Sequence, residues 1–327
     1  MKVLCIGDPH FKVNNIVESE MMIEKLKELC IERIPDFIVC MGDVLDRHSN
    51  IHVTCLMMAE KMVEILSQIA PLFLIIGNHD RPNNSNFLTN EHPFNAMKKW
   101  KNVYIVDVPI SHTFGEYKFS FVPYVAPGRL FEAIEKLNED INSFKCAFMH
   151  QEILGAKMGA IVSEVGDKWD LEYPLAISGH IHDYDVLQPN MIYIGTPIQQ
   201  TYSESVHKTV SIFTFIGKEW SQERIDLGMK KKVTVYIAPN EVHGYVVPED
   251  KHIKLVIRGD EAAIKTIAKV QKIQDLKKLG VKVVFKTIQS TEVSTKPTAK
   301  MTYANRLLLE IKHDSDMIKW YTKIFHV

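Results

Sequence analysis

The 327-residue chain carries 39 Lys+Arg against 40 Asp+Glu, and 46% of its residues are hydrophobic. That suits two domains, or one large domain with an appendage, and it excludes global disorder. The five scattered cysteines form no CxxC pair, the N-terminus MKVLCIGDPH is too short and acidic for a signal peptide, and no apolar run nears the roughly 18–20 residues of a membrane span, so a reduced, cytoplasmic protein with no membrane partner is expected.

In chain order, VLCIG (3–7) reads as a strand, followed by an amphipathic helix near 18–33. FIVCMG (37–42) is a second strand, with a helix near 52–69 after it. LFLIIG (72–77) precedes a polar loop, RPNNSN (81–86). Then VYIVDV, FSFVPY, CAFMH, LAISG, MIYIG and VSIFTF follow at shorter spacing. Strands separated by helices predict an α/β fold, and the close later strands predict hairpins. Two stacked sheets, or one mixed sheet, with outer helices are expected.

The pattern changes around 216–232. VTVYIAP (233–239), KLVIRG (254–259), one helix over 261–280 and VKVVFKTI (281–288) predict a small β-α-β unit. QSTEVSTKPTAK (289–300) reads as a linker. Two short helices are expected around His313-Asp314-Ser315. Ala304, Leu307, Leu308 and Ile311 give one an apolar face, and Met317, Trp320, Tyr321 and Ile324 give the other. The expected boundaries are 1–228, 229–290 and 291–327.

Residues 229–327 hold 19 Lys+Arg and 10 Asp+Glu, a local net of +9, which leaves −10 on residues 1–228. An acidic front half suits cation binding, and a basic back half suits a polyanion, although lysines that merely solvate helix faces give the same count. The run Lys230-Lys231-Lys232 is the densest candidate contact.

Five apolar runs deliver Asp, Asn or His at their C-terminal ends. VLCIG leads to Asp8 and His10, FIVCMG to Asp43, and LFLIIG to Asn78, His79 and Asp80. CAFM leads to His150, and LAISG to His180 and His182. Sites in open α/β sheets form at the carboxyl ends of strands, so these residues are expected to converge. They are ligand types for hard-to-borderline divalent metals. Their number suits two ions bridged by a carboxylate, an arrangement that clamps phosphoryl groups. Each motif alone is an ordinary turn or cap. Their order and placement on strand ends carry the reading.

Asp8-x-His10, Gly42-Asp43-x-x-Asp46, Gly77-Asn78-His79-Asp80, His150 and Gly179-His180-x-His182 resemble the calcineurin-like metallophosphoesterase superfamily. YIGTPIQQTYSES (193–205) resembles a signature of SbcD-type DNA break-repair nucleases, which include the meiotic recombination nuclease and phage recombination nucleases. The resemblance implies a two-sheet α/β sandwich over 1–228, a capping domain over 229–290, and a linker and helical ATPase-binding tail over 291–327. It implies metal-dependent exo- or endonucleolytic hydrolysis of DNA in recombination and repair. The partner would be an SbcC-type SMC-like ATPase, with the nuclease a homodimer inside a heterotetramer. Asp8, His10 and His182 would hold one ion, Asn78, His150 and His180 the other, and Asp43 would bridge them. The resemblance favours manganese, while the donor set also admits magnesium, iron or zinc. His79 would act on the phosphate as a general acid, oriented by Asp46. His48 is expected at the surface.

Two other functions fit less well. Gly42-Asp43-Val44-Leu45-Asp46-Arg47 resembles protein phosphatases, but their arginine before Gly-Asn-His is Ile76 here, and Asp80 follows the motif instead of a glutamate. A non-catalytic scaffold for the ATPase would not need seven metal ligands.

Overall fold

The computed structural model describes residues 1–48, 50–159, 161–288, 311 and 315–325. The expected linker, and the expected helix over Ala304, Leu307 and Leu308, lie outside them.

The chain runs β1 (Lys2–Ile6), α1 (Ile16–Arg33), β2 (Phe37–Cys40), α2 (Val53–Ser67), β3 (Leu72–Ile75), β4 (Val103–Val106), β5 (Ile110–Phe114) and β6 (Tyr117–Val122). Next come α3 (Leu130–Ile134), β7 (Cys146–Met149), β8 (Lys157–Met158), β9 (Ile161–Val162), β10 (Leu175–Ser178), β11 (Asp185–Gln188), β12 (Met191–Tyr193), β13 (Val210–Ile216) and β14 (Glu219–Ile225). It continues through β15 (Lys231–Ile237), β16 (Lys251–Gly259), α4 (Glu261–Ile267), α5 (Gln271–Lys278), β17 (Lys282–Thr287) and α6 (Ser315–Phe325).

One six-stranded sheet has the order β14-β13-β1-β2-β3-β4, and the other β11-β12-β10-β7-β6-β5. In the first, β1 to β4 are parallel and β13 joins antiparallel to β1. In the second, β6, β7, β10 and β12 are parallel, with β5 and β11 antiparallel at the edges. The two-sheet α/β fold expected from the sequence is what forms.

Alternation of side chains explains why the central strands read as unbroken apolar runs. Val3, Cys5, Phe37, Val39, Phe73 and Ile75 point inward and pack on Phe119, Phe121, Cys146, Phe148, Leu175 and Ile177 of the facing sheet. Leu4, Ile6, Ile38, Cys40, Leu72 and Leu74 point outward and meet Met22, Ile23 and Leu26 of α1 and Met58, Met62 and Leu66 of α2. On the far side, Ala147, Met149, Ala176 and Met191 pack against Leu130, Ala133 and Ile134 of α3 and against Trp169. Residues 2–225 are therefore layered helix, sheet, sheet, helix. All five cysteines are buried free thiols. Among the described residues, no helix is long and apolar enough to cross a membrane.

By compactness the chain divides into two units. One takes Met1–Val235, Val246–Leu255 and Lys278–Lys282, and the other Tyr236–Tyr245, Val256–Lys277 and Val283–Val327. β15, β16 and β17 form a three-stranded sheet in that order. The single helix expected over 261–280 is two. Ile267, Ile273 and Leu276 are all buried. Six residues of continuous α-helix would put Ile273 about 240° round from Ile267, on the other face. The chain tightens to three-residue bonds, Lys269 N–H to the Thr266 carbonyl and Val270 N–H to that of Ile267, and the break re-phases the apolar face. α6 forms after Ser315 as the spacing predicts, with Tyr321 buried and Met317 and Trp320 exposed.

Candidate metal centre

The parallel neighbours β1, β2 and β3 release Asp8 and His10, Asp43, and Asn78 and His79 from one edge of the first sheet. The parallel neighbours β7 and β10 release His150, His180 and His182 from the second. Asp8, His10 and His182 form one cluster with ligand atoms within 4.8 Å of one another, and Asp43, His150 and His180 form a second. Asn78 Oδ1 lies 3.0 Å from His150 Nε2 and 3.0 Å from His180 Nδ1. Asp43 Oδ2 lies 3.3 Å from His150 Nε2 and 3.8 Å from His10 Nε2, so it reaches both clusters. All seven expected ligands are brought together.

The backbone is strained to achieve this. His10, Asp43 and His180 have φ values of 46°, 48° and 78°. Non-glycine residues rarely occupy that region, and at functional sites the surrounding structure holds them there. Asp43 Oδ1 accepts the His79 N–H at 2.8 Å, and Asp8 Oδ2 accepts the His180 N–H at 2.8 Å, across the two sheets. Two glycines permit this closeness. A Cβ on Gly42, at φ 108°, would sit 2.5 Å from His150 Nδ1, and one on Gly179 would sit 2.5 Å from Asp8 Oδ1.

The residues fit divalent cations on three observations. Asp8 Oδ1 is buried with no hydrogen-bond partner. His10 Nε2 and His182 Nε2 face each other at 3.0 Å, where two lone pairs repel unless a proton or cation intervenes. Burial holds the imidazoles of His10 and His180 down to about 3, so both are neutral donors at pH 7, the form that binds metal. The carboxylates respond to the same crowding. Burial pushes Asp43 up, but the imidazoles of His150 and His10 outweigh it and hold the carboxyl well below the ordinary range. Burial and the neighbouring Asp43 raise Asp8 to about 6. Burial pulls His150 down, but Asp43 and Asp8 outweigh it and lift it to about 9.

His79 stands beside the clusters with its ring edge-on to His10, centroids 5.0 Å apart. Its Nδ1 donates to a carbonyl oxygen at 2.8 Å, which leaves Nε2 for the site. Two expectations need correction here. The carbonyl is the backbone oxygen of Asp46, whereas the Asp46 carboxylate accepts from Lys12 Nζ at 2.9 Å. A carboxylate with a lysine in reach pairs there, and the loop turn aims the main chain at His79. His48 is only partly exposed, and it joins the site, because its ring stacks on His79 at 4.6 Å and 20° and its Nδ1 lies 3.3 Å from the Arg81 carbonyl.

Sequence reasoning also gave Asp80 no role. It is buried and accepts the Leu45 N–H at 3.0 Å and the Gly77 N–H at 3.1 Å, pinning the second and third ligand loops together. Burial and nearby Asp43 raise its carboxyl to about 7. Its place directly after Asn78-His79 was the available signal.

The family model of calcineurin-like phosphoesterases matches residues 1–184, the stretch that carries every one of these side chains. The chain belongs to that family. It is 38% identical over 304 residues to the 078R protein of Invertebrate iridescent virus 3, named for a suspected phosphoesterase activity, covering 91% of this chain and 88% of that one. It is 37% identical over 278 residues to the similarly named 244L protein of Invertebrate iridescent virus 6, covering 82% and 97%. It is 26% identical over 198 residues to the DNA double-strand break repair protein Mre11 of Methanococcus maripaludis, covering 56% and 52%. As a calcineurin-like phosphoesterase, the chain is a metallophosphoesterase-type hydrolase.

Proposed function

We propose that this phosphoesterase is a two-metal DNA nuclease that hydrolyses phosphodiester bonds in DNA end processing. The observation that carries it is the pairing of two ligand clusters with His79, whose available nitrogen is fixed beside them. Asp8, His10 and His182 would hold one divalent ion, Asn78, His150 and His180 the other, and Asp43 would serve both. Bound there, the ions supply Lewis acidity to the phosphoryl group and activate water for attack. Manganese is our first choice, and the oxygen and imidazole donors also accept magnesium, iron or zinc.

The chain's own residues do the rest. Asp46 accepts Nδ1–H through its main chain, so His79 can exchange a proton only at Nε2. As the P–O bond breaks, the imidazolium form of His79 delivers its Nε2 proton to the leaving oxygen and is left neutral, with Nδ1–H still on the Asp46 carbonyl. His48 stacks on the ring and holds its plane.

DNA as the polymer is supported by the similarity to Mre11 and by the net charge of +9 on residues 229–327. On the resemblance of residues 193–205 to the SbcD-type signature, we further propose a homodimer working with an SbcC-type SMC-like ATPase that the C-terminal helix grips. The test is incubation of purified protein with linear duplex DNA, single-stranded DNA and a phosphomonoester, each with Mn²⁺ or Mg²⁺. Cleavage of DNA over the monoester is expected. Turnover of the monoester alone would make the protein a phosphatase.

A further inference from the structure

Among the seven ligand candidates, His182 stands out for exposure. Its side chain is 37% accessible, whereas Asp8, His10 and His150 are 0–2%. It sits on the loop after β10, with its ring edge-on to that of His10 at 4.8 Å. Further contacts come from the stretch 193–205 and from Lys208. The His182 carbonyl accepts the Thr196 N–H at 3.0 Å and Lys208 Nζ at 2.7 Å. Its Nδ1 faces Glu204 Oε1 at 3.4 Å. Glu204 is itself held, because its Oε2 accepts the Gln200 N–H at 2.9 Å and meets Lys208 Nζ at 3.0 Å. Lys208 is buried and also pairs with Asp183 Oδ1 at 2.8 Å.

We propose that Glu204, braced by Lys208, is a positioning residue for the metal ligand His182. With Nδ1–H directed at Glu204, the lone pair is left on Nε2, the atom that faces His10 and the Asp8 cluster. A carboxylate behind a ligating imidazole fixes its tautomer and plane and raises its basicity. The other cluster is held differently. His150 Nδ1 donates to the Met41 carbonyl at 2.8 Å, and the ring is fully buried. Glu204 therefore acts on one ion only, which is a selective effect that a general structural role would not produce. It also gives a physical purpose to the glutamate of the 193–205 signature.

The proposal rests on the two-ion reading above, and one titration separates the two. Mn²⁺ binding to full-length protein is followed by electron paramagnetic resonance of the free ion. Wild type is the control, and fewer than two ions per chain there would overturn the two-ion reading. Given two, Glu204→Ala is expected to weaken one ion about 10–100-fold and leave the other at its wild-type affinity. Glu204→Gln keeps the shape and an acceptor oxygen but not the charge, so it should fall between. It also serves if the alanine variant does not fold. Unchanged affinity for both ions in Glu204→Gln and Glu204→Ala would overturn the proposal, as would an equal loss of both.

Discussion

Because Asp46 presents main chain rather than carboxylate to His79, substitutions at these two positions should separate cleanly. His79→Ala should retain both ions and lose about 10²–10⁴-fold in turnover, the usual contribution of proton transfer. Asp46→Ala keeps the carbonyl, and with it the His79 tautomer, so its loss should be far smaller and come through Lys12. His48→Ala removes a stacked ring worth about 0.5–1.5 kcal/mol, which converts to roughly two- to tenfold in turnover. Asp43→Ala removes the one carboxylate that reaches both clusters, so hydrolysis should vanish and bound metal should drop below two per chain. Turnover on a model phosphodiester beside metal analysis checks all four. Metal loss in His79→Ala would make it a ligand instead. The ligand types were legible in the sequence because Asp, Asn and His stood directly after apolar runs. The stack of His48 was not, since it depends on how two loops fold over each other.

At the scale of elements, β4 illustrates how the sheet edge is secured. Asp107 follows it, and its carboxylate accepts from His92 Nε2 at 3.1 Å and pairs with Lys98. Burial pushes the Asp107 carboxyl up, but these two partners outweigh it, so its pKa lies below the ordinary value. A depressed folded pKa means stability that is fully present above the unfolded pKa and lost as pH falls through the folded one. Asp107→Asn should therefore lower stability by about 1–3 kcal/mol at neutral pH. The gap to wild type should hold down to about pH 4 and close below it. Urea midpoints over that range measure it, and a gap that persists below the carboxylate range would reject the ionic account. Strands 3–6, 37–40, 72–75, 146–149 and 175–178 are legible because both faces are buried. β14, EWSQERI, reads only as a change of pattern, because it is an edge strand with little burial and so carries no apolar run. The break between α4 and α5 is hidden in the sequence because every residue across it tolerates a helix, and only the two burial faces show the change of phase.

For the whole molecule, the basic run Lys230-Lys231-Lys232 is less available to DNA than its sequence suggests. Lys231 Nζ pairs with Asp226 at 2.5 Å and Lys232 Nζ with Glu18 at 3.0 Å. The exposed Lys269, Lys277 and Lys286 are better candidates for the phosphate backbone. Reversing all three should flatten the log–log dependence of duplex binding on salt by about 0.9 for each phosphate no longer neutralised. An unchanged slope would return these lysines to plain solvation. If the C-terminal helix grips the ATPase, deleting 301–327 should abolish co-purification while cleavage of short substrates persists. Loss of intrinsic cleavage would assign the segment to the catalytic body.

Each ligand cluster takes members from both sheets, Asp8 and His10 with His182, and Asp43 with His150 and His180. An ion in either cluster therefore rivets the two halves of the sandwich, and unfolding must release it. Occupancy of a native-only site adds about 2.7 kcal/mol at a hundredfold excess over its dissociation constant. Two such sites should raise the melting temperature by well over about 5 °C between EDTA and saturating Mn²⁺. A melting temperature indifferent to both would mean that the sheets are joined by their core alone. On this account metal supply sets the protein's lifetime as well as its rate, since a chain short of metal is one whose two sheets part more readily.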